Sequence, residues 1–288
     1  MIKDTEENTV SCEIQQQNLS KSGVATSQNS ITCSVQKDRQ LKPAKKILSK
    51  TKSAIKRVIN NLYYMNLVPG KGSTCPICDT TSRKFIPYIP NTKVNARCPR
   101  CKSLDRHRLL WLYFKENPEL FKKEMKILHF APEPCFENEF IRMKGINYIT
   151  ADLDPAAAMI QMDITSINYE DNHFDAIICN HVLEHVESDI KAMQELYRIL
   201  NTGGWAVLMI PVDINRQETY EDFSKVTPEE RLKHFEQEDH VRIYGLDYSD
   251  RLRSVGFEVS AINYARMLDD KILNKHKLKD EIIYLCRK

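Results

Sequence analysis

The sequence contains no apolar run that approaches the length needed to cross a bilayer, although 42% of its 288 residues are hydrophobic. Its formal net charge is only +3 at pH 7, which is too small to indicate nucleic-acid binding from bulk electrostatics. The N-terminal stretch MIKDTEENTVSCEIQQQ carries acidic residues where a signal peptide needs a basic start and then an apolar core. These absences predict a soluble, cytoplasmic protein, with enough apolar content for one large domain or two smaller ones.

The first 66 residues divide into two segments of different composition. Residues 1–40 are polar and rich in Ser, Gln, Asn and Thr. They cannot bury enough apolar surface to offset the entropy of ordering, so a disordered polar tail is expected. Residues 41–66 predict a basic amphipathic helix, because apolar residues recur at helical spacing and seven basic residues but no acid lie between Leu41 and Met65. Such a helix can dock on the domain behind it, lie on an anionic membrane or touch RNA.

Two Cys-Pro-x-Cys pairs follow, Cys75 with Cys78 and Cys98 with Cys101. Each pair forms a tight turn that can present two thiolates, so the two pairs together supply four ligands for a tetrahedral zinc ion. A redox CxxC would need only one pair and usually accompanies a βαβ pattern. Four cysteines leave no open coordination position, so the zinc is expected to be structural. With a connecting helix capped by Ser103, the predicted zinc ribbon covers residues 70–117.

Residues 124–288 alternate between strand and helix patterns, which indicates a mostly parallel sheet covered by helices on both faces. Ser188 predicts the start of a helix that Gly203 and Gly204 end, and Thr227 opens a capping box inside a long insertion, 213–246. A charged linker is expected between the last two strands. The predicted strands are KILHFA (126–131), YITADL (148–153), MIQM (159–162), FDAIICN (174–180), WAVLMIPV (205–212), FEVSAINY and EIIYLCR.

Four blocks of this half resemble, in order and separation, the class I S-adenosylmethionine-dependent methyltransferases. They are ILHFAPEP, ITADLDP, QMDITSINYEDNHFDAIICNHVLEHV and ELYRILNTGGWAVLMIP. The cysteine pairs, SLDRHRLLWLY and EDHVRIYG further resemble type 11 methyltransferases that carry an N-terminal zinc ribbon. The resemblance implies a Rossmann-like, mostly parallel seven-stranded sheet with helices on both faces, S-adenosylmethionine as cofactor, and a structural zinc ion in the ribbon.

The resemblance also implies which residues contact the cofactor. Asp152, at the end of the second strand, would accept hydrogen bonds from both ribose hydroxyls. Asp163 would bond the adenine amino group, with Ile164 packing on the ring, although a turn-forming aspartate explains Asp163 equally well. In the glycine-free turn Ala-Pro-Glu-Pro, Glu133 would face the ammonium or sulfonium charge of the cofactor. The full predicted set is Ala131, Glu133, Asp152, Leu153, Asp163, Ile164 and Asn180.

Two groups of residues are candidates for the acceptor side of the site. His181 follows the fourth strand and could act as general base if the acceptor is a hydroxyl, since imidazole titrates near neutral pH. Alternation in EDHVRIYG points His240, Arg242 and Tyr244 to one face of an extended segment. That trio could bind an anionic or polyhydroxylated acceptor, or it could form a hydrogen-bonded lid.

The function expected from these patterns is S-adenosylmethionine-dependent methylation of a small molecule or saccharide, on oxygen or nitrogen. One alternative is an RNA-modifying methyltransferase that contacts nucleic acid through the basic helix and the zinc ribbon. NHVLEH after the fourth strand disfavours it, since base amino-methylation commonly uses an Asn/Asp-Pro-Pro-aromatic loop. The other alternative is a non-catalytic binding protein that kept the fold, suggested by the absence of glycine from the first cofactor turn.

Overall fold

The computed structural model describes residues 72–87 and 95–288. The expected polar tail (1–40) and basic amphipathic helix (41–66) lie outside these residues and stay predictions. Within the described part of the chain, no helix combines the length and the apolar character that a membrane span requires.

The cysteine module consists of two small antiparallel ladders. Strand β1 (Ser73–Thr74) pairs with β2 (Thr81–Ser82), and β3 (Ile86–Pro87) pairs with β4 (Asn95–Arg97). Gly72 is needed beside the first ladder, because a Cβ atom there would lie 2.1 Å from the carbonyl oxygen of Ser82. The second ladder lies between the two cysteine pairs in sequence.

Helix α1 (Asp105–Glu116) joins this module to the sheet. Its apolar run is buried, with Trp111 packed against Phe136 and Phe140 at ring-centroid distances of 5.9 Å. The predicted cap is wrong: Leu104 occupies the N-cap position, because the side chain of Ser103 faces the cysteines instead.

Arg108 of α1 connects the module to the C-terminal part of the chain. Its guanidinium is fully buried and donates to the carbonyl oxygens of Ala96 and Ser103 on one side and of His276 and Lys277 on the other, at 2.7–2.9 Å. Five N–H donors in a rigid fork allow one arginine to satisfy several carbonyls. Arg108 therefore holds the cysteine module against the last helix of the chain.

The remaining chain alternates strands and helices, with three 3₁₀ helices at Pro118–Leu120, Leu183–His185 and Tyr264–Met267. The order is β5 (Met125–Phe130), α2 (Pro134–Phe140), β6 (Ile146–Asp152), β7 (Ile160–Gln161), β8 (Phe174–Cys179), α3 (Asp189–Ile199), β9 (Leu200–Val207), β10 (Tyr220–Glu221), α4 (Pro228–Phe235), β11 (Arg242–Ile243), α5 (Tyr248–Ser254), β12 (Glu258–Ile262), α6 (Asp270–His276) and β13 (Ile283–Arg287).

Seven of these strands form one sheet in the order β12-β13-β9-β8-β5-β6-β7. Only β13 runs antiparallel to its neighbours. The central strands are nearly continuous runs of buried apolar residues, as expected when helices cover both faces of a parallel sheet. The predicted Rossmann-like sheet is therefore confirmed, and the carboxyl ends of β5, β6 and β8 lie at one edge.

Two boundaries in this half differ from the prediction. Strand β9 begins at Leu200, directly after α3, so Gly203 and Gly204 lie inside the strand rather than after the helix. Gly203 has φ +77° and the β8–β9 register shifts nearby, which is the behaviour of glycine at a β-bulge. The expected charged linker contains helix α6, in which the side chain of Asp269 caps the backbone N–H of Ile272.

The insertion after β9 is organised around the short β10–β11 ladder. The predicted capping box is confirmed: the Thr227 hydroxyl accepts from the backbone N–H of Glu230, whose carboxylate accepts from the backbone N–H of Thr227, and Pro228 begins α4. Strand β11 brings Arg242 and Tyr244 against the turn after β8. The insertion thus packs beside the edge of the sheet where the candidate site lies.

Candidate functional site

Two cavities open at the carboxyl edge of the sheet, and His181 lines both. The larger cavity has a volume of about 530 Å³ and the smaller about 380 Å³. Both volumes fall within the ordinary range for small-ligand sites, roughly 300–1,000 Å³. The larger cavity is lined by Phe130, Ala131, Asp152, Leu153, Met162, Ile164, His181, Val182, His185, Val186 and Asp239.

Ala131 forms the first wall of the larger cavity, in the turn where related folds carry glycine. Its φ of +47° is in the left-handed region, and its N–H donates to the carbonyl oxygen of Ala151 at 2.9 Å. A single alanine can adopt this backbone at a modest energetic penalty. Because Pro134 begins α2 immediately afterwards, the turn is well defined without glycine.

Asp152 ends β6 and lies half-buried on the wall of the larger cavity. One of its carboxylate oxygens accepts a hydrogen bond from the backbone N–H of Asp154 at 2.9 Å. A carboxylate offers about four lone-pair sites, so Asp152 keeps acceptor capacity for a ligand. Leu153, with 66% of its surface exposed, and the buried Ile164 add apolar surface to the same cavity.

Asp163 is exposed and does not line either cavity. Its Oδ1 atom accepts from both the backbone N–H and the hydroxyl of Thr165, each at 2.8 Å. These contacts agree with the interpretation of Asp163 as a turn-forming aspartate.

Glu133 and Asn180 lie behind the Ala131 turn rather than on the cavity wall. Glu133 accepts from Asn180 Nδ2 at 3.3 Å and contacts His129 Nε2 at 2.7 Å, and the other ring nitrogen of His129 contacts the Tyr148 hydroxyl at 2.7 Å. Burial alone would raise the pKa of Glu133, but the hydrogen bond and charge of His129 outweigh it and lower this pKa to about 2. Glu133 is therefore a carboxylate at neutral pH.

Asn180 leaves one polar atom unpaired beside this carboxylate. Its side chain is buried, and Oδ1 has no hydrogen-bond partner among the described residues. A buried, unpaired acceptor costs free energy unless a ligand donates to it. The Glu133–Asn180 pair is thus suited to a ligand ammonium group.

His181 is held between two carboxylates. Its Nδ1 lies 3.2 Å from Glu184 and its Nε2 lies 2.9 Å from Glu281. Burial lowers the pKa of His181, but these two hydrogen bonds outweigh it and raise the pKa to about 9. A pKa raised to about 9 favours the doubly protonated ring at neutral pH, and the general-base role of His181 stays a prediction.

Arg242 and Tyr244 are fully buried and line neither cavity. Arg242 donates to the carbonyl oxygens of Leu183, Val186 and Glu187, and the Tyr244 hydroxyl donates to Asp189 at 2.7 Å. The donors of these two side chains hold the turn after β8, away from both cavities. Acceptor binding and the hydrogen-bonded lid both stay predictions.

His240, the third member of that predicted trio, is buried beside His185, with ring centroids 4.8 Å apart. It does not line either cavity, so it also does not reach an acceptor placed there.

The smaller cavity combines apolar and charged walls that motif analysis missed. Most of its lining comes from segments after β9 and before β13, which carry no recognisable signature. The lining residues are His181, Ile210, Pro211, Val212, Ile214, Asn263, Arg266, Asp280, Glu281 and Ile282.

The four predicted cysteine ligands converge in the N-terminal module. Cys75 and Cys101 have sulfur atoms 3.5 Å apart, and those of Cys78 and Cys98 are 3.7 Å apart. A tetrahedral zinc with Zn–S bonds of about 2.3 Å requires sulfur separations of about 3.8 Å. The Ser103 hydroxyl lies 3.2 Å from Cys75 and Cys101, as an outer-shell group would. The donor set therefore fits a closed zinc site.

Comparison with known proteins gives a family match within the part of the chain that forms the seven-stranded sheet. Residues 138–208 match the family model described as a methyltransferase domain, type 11. The 2-phytyl-1,4-naphtoquinone methyltransferase of Nostoc punctiforme is 33% identical over 55 residues, which are 19% of this chain and 24% of that protein. The chain thus aligns with about a quarter of the length of this curated relative.

The solved structures to which this chain is similar have low sequence identity. The [4+2]-cyclase SpnF is 14% identical with a TM-score of 0.45, covering 65% of this chain and 83% of its own. An S-adenosylmethionine-dependent methyltransferase from Mesorhizobium loti is 12% identical with a TM-score of 0.44, covering 62% and 98%. Residues 138–208 are thus similar to a methyltransferase domain, and they lie within the seven-stranded sheet that follows the four-cysteine module.

Proposed function

We propose that this protein transfers a methyl group from S-adenosylmethionine to a small molecule or saccharide, on oxygen or nitrogen. The observation that carries the proposal is the convergence of Ala131, Asp152, Leu153 and Ile164 on one cavity at the carboxyl edge of the sheet. In an open α/β sheet this edge is where ligands bind.

Three lining residues of the larger cavity suit the cofactor. Asp152 would accept hydrogen bonds from the ribose hydroxyls, and the apolar Leu153 and Ile164 would contact the adenine ring. Glu133 and Asn180 lie behind the Ala131 turn and not on the cavity wall, so they would receive the ammonium group only if the cofactor reaches past this turn; the group would then satisfy the unpaired Asn180 Oδ1. The bound cofactor supplies an electrophilic methyl group on a positively charged sulfur.

We place the acceptor in the smaller cavity, because His181 lines both cavities. Its charged and amide side chains can hydrogen-bond a polar acceptor, while Ile210, Val212 and Ile282 exclude water around it. The protein would then act mainly by aligning the acceptor with the methyl group in a site from which water is excluded. The name of the Nostoc relative, a quinone methyltransferase, is consistent with a small-molecule acceptor.

An RNA acceptor is the second candidate, and the smaller cavity disfavours it. Two carboxylates, Asp280 and Glu281, line this cavity, whereas a nucleic-acid channel requires cations that neutralise phosphates. Arg266, the arginine of this cavity, is itself paired with Asp280 at 3.1 Å.

We further propose that Cys75, Cys78, Cys98 and Cys101 bind one structural zinc ion. The module, 70–117, would then fold with its metal and dock through α1 on the methyltransferase domain, 124–288.

A labelling experiment separates these functions. The full chain is incubated with methyl-labelled S-adenosylmethionine and a cell extract divided by size, with and without ribonuclease, beside an Asp152→Asn variant. Label in the small-molecule fraction that depends on Asp152 supports the proposal. Label that ribonuclease removes supports the RNA function. No cofactor binding by folded protein supports the non-catalytic alternative.

A further inference from the structure

A second cluster of metal-binding side chains lies beside the larger cavity. Glu184, His185 and His240 each offer a ligand atom, and these atoms lie within 4.8 Å of one another. Glu184 and His185 come from the 3₁₀ helix after β8, and His240 comes from the insertion just before β11. The backbone N–H of Val241 donates to the carbonyl oxygen of Glu184 at 2.9 Å, which fixes the two segments relative to each other.

Glu184 has a buried carboxylate oxygen without a hydrogen-bond partner among the described residues. The residue is 1% exposed, and its Oε2 atom has no hydrogen-bond partner among the described residues. The other oxygen, Oε1, lies 3.2 Å from His181 Nδ1. Leaving an anionic oxygen buried and unpaired is costly, whereas coordination to a cation would satisfy it.

His185 is oriented as metal-ligating histidines commonly are. Its Nδ1 lies 3.2 Å from the carbonyl oxygen of Asp239 and 3.4 Å from Oδ2 of the same residue. A ring nitrogen that donates to a carbonyl leaves the opposite nitrogen with a lone pair, and this outer-shell arrangement is typical of ligating histidines. The His185 and His240 rings pack edge to face, with their planes 78° apart.

We propose that Glu184, His185 and His240 bind a divalent first-row transition metal, with zinc as the simplest candidate. Two imidazoles and one carboxylate form a ligand set that suits zinc or iron(II), and three protein ligands leave a coordination position open. This site is separate from the four-cysteine module, whose ligand set is closed. Metal binding there would also fix the insertion to the turn after β8.

The open position lies at the edge of the larger cavity, because His185 and Asp239 line that cavity. A metal ion there could bind an oxygen of a ligand and polarise it. This last role rests on the proposed methyl transfer, whereas the metal site itself does not.

Cobalt(II) titration of the metal-free full chain, without S-adenosylmethionine, tests the site. Cobalt bound by four cysteines gives thiolate charge-transfer absorption, whereas cobalt bound by two histidines and a glutamate does not. Zinc per chain is measured in parallel on zinc-reconstituted protein. Wild-type protein is expected to bind two metal ions, with one free of thiolate bands.

Two variants and one control locate the second ion. Glu184→Gln keeps the side-chain shape, and His185→Ala changes a side chain that is one-third exposed, so at least one should fold as judged by its melting curve. Each variant is expected to lower the affinity for the second ion by at least about 100-fold, while the thiolate bands of the first ion stay unchanged. His173→Asn, a histidine outside the cluster, should bind two ions. Wild-type protein in which every bound ion shows thiolate bands, or an ion free of thiolate bands that both cluster variants keep at wild-type affinity, would overturn the proposal.

Discussion

Replacing Arg242 by methionine distinguishes a structural from an acceptor-binding role for this residue. In the structure the side chain is fully buried and donates to Glu221 at 2.8 Å and to the carbonyls of Leu183 and Glu187 at 2.7 and 2.9 Å. Methionine fills similar volume but removes every donor. Breaking a buried charged network by removing one partner typically costs about 3–5 kcal/mol. For a domain of this size that corresponds to a fall in melting temperature of roughly 6–20 °C.

The control is Arg253→Met. Arg253 is half-exposed and pairs with Asp250 at 2.8 Å within α5, so its loss should cost only about 0–1 kcal/mol. Both variants would be compared with wild type by thermal and urea unfolding, and the KM for the acceptor would be measured once one is found. If Arg242→Met melts within about 2 °C of Arg253→Met but raises the KM for the acceptor, the structural role assigned to Arg242 is wrong.

Three further perturbations have definite expected outcomes. Cys78→Ser should remove the module's zinc ion, measured as loss of one metal atom per chain together with the thiolate bands of the cobalt form; retention of both would refute the four-cysteine site. Glu133→Gln should flatten the pH dependence of the urea midpoint between pH 4.5 and about 2. The lowered pKa of Glu133 contributes stability that is present above pH 4.5 and lost as the pH falls through about 2. An unchanged pH profile would contradict the stabilising contacts of Glu133 with His129 and Asn180. Gly256→Ala should lower the melting temperature more than Gly203→Ala. Both glycines have positive φ, but only at Gly256 would the added Cβ lie 2.7 Å from the Tyr197 ring. Equal melting temperatures would show that the ring moves aside.

The sheet could be predicted from the sequence because its strands are buried on both faces. Runs such as 174–180 leave little choice of structure. The predicted strands agree with β5, β6, β8, β12 and β13 within about two residues, whereas β7 is shorter than predicted and β9 begins and ends five residues before the predicted strand. The capping box at Thr227 could also be predicted, since it depends only on two residues that lie three positions apart. The structure of such a motif is determined by neighbouring residues in the sequence.

Features that depend on distant contacts could not be read in this way. Gly203 resembles a helix stop in sequence, but its neighbours in the fold, Lys288 and β8, make it a bulge. The alternation in EDHVRIYG correctly placed Arg242 and Tyr244 on one face. It could not show that this face is turned inward, toward backbone carbonyls that need donors.

The residues of the candidate site also divide into those that local sequence predicts and those that depend on distant contacts. Asp152 was predictable because it ends a strand at the binding edge of the sheet, and the four cysteines were predictable because their spacing is itself a ligand pattern. The protonated state of His181 depends on Glu281, one hundred residues away in the chain. The Glu184–His185–His240 cluster joins two segments that no local motif connects.

The most direct measurement is calorimetric titration of S-adenosylmethionine into the zinc-loaded full chain, with Asp152→Ala and Asp163→Ala as a matched pair. A hydrogen bond to a charged group is worth about 1.5–3 kcal/mol, so the two ribose contacts together contribute about 3–6 kcal/mol. Asp152→Ala should therefore weaken binding by at least roughly 100-fold. Asp163→Ala should change it by less than about threefold, because Asp163 serves a turn. Absence of binding by folded wild-type protein, or equal affinity for wild type and Asp152→Ala, would contradict the assignment of the larger cavity to the cofactor.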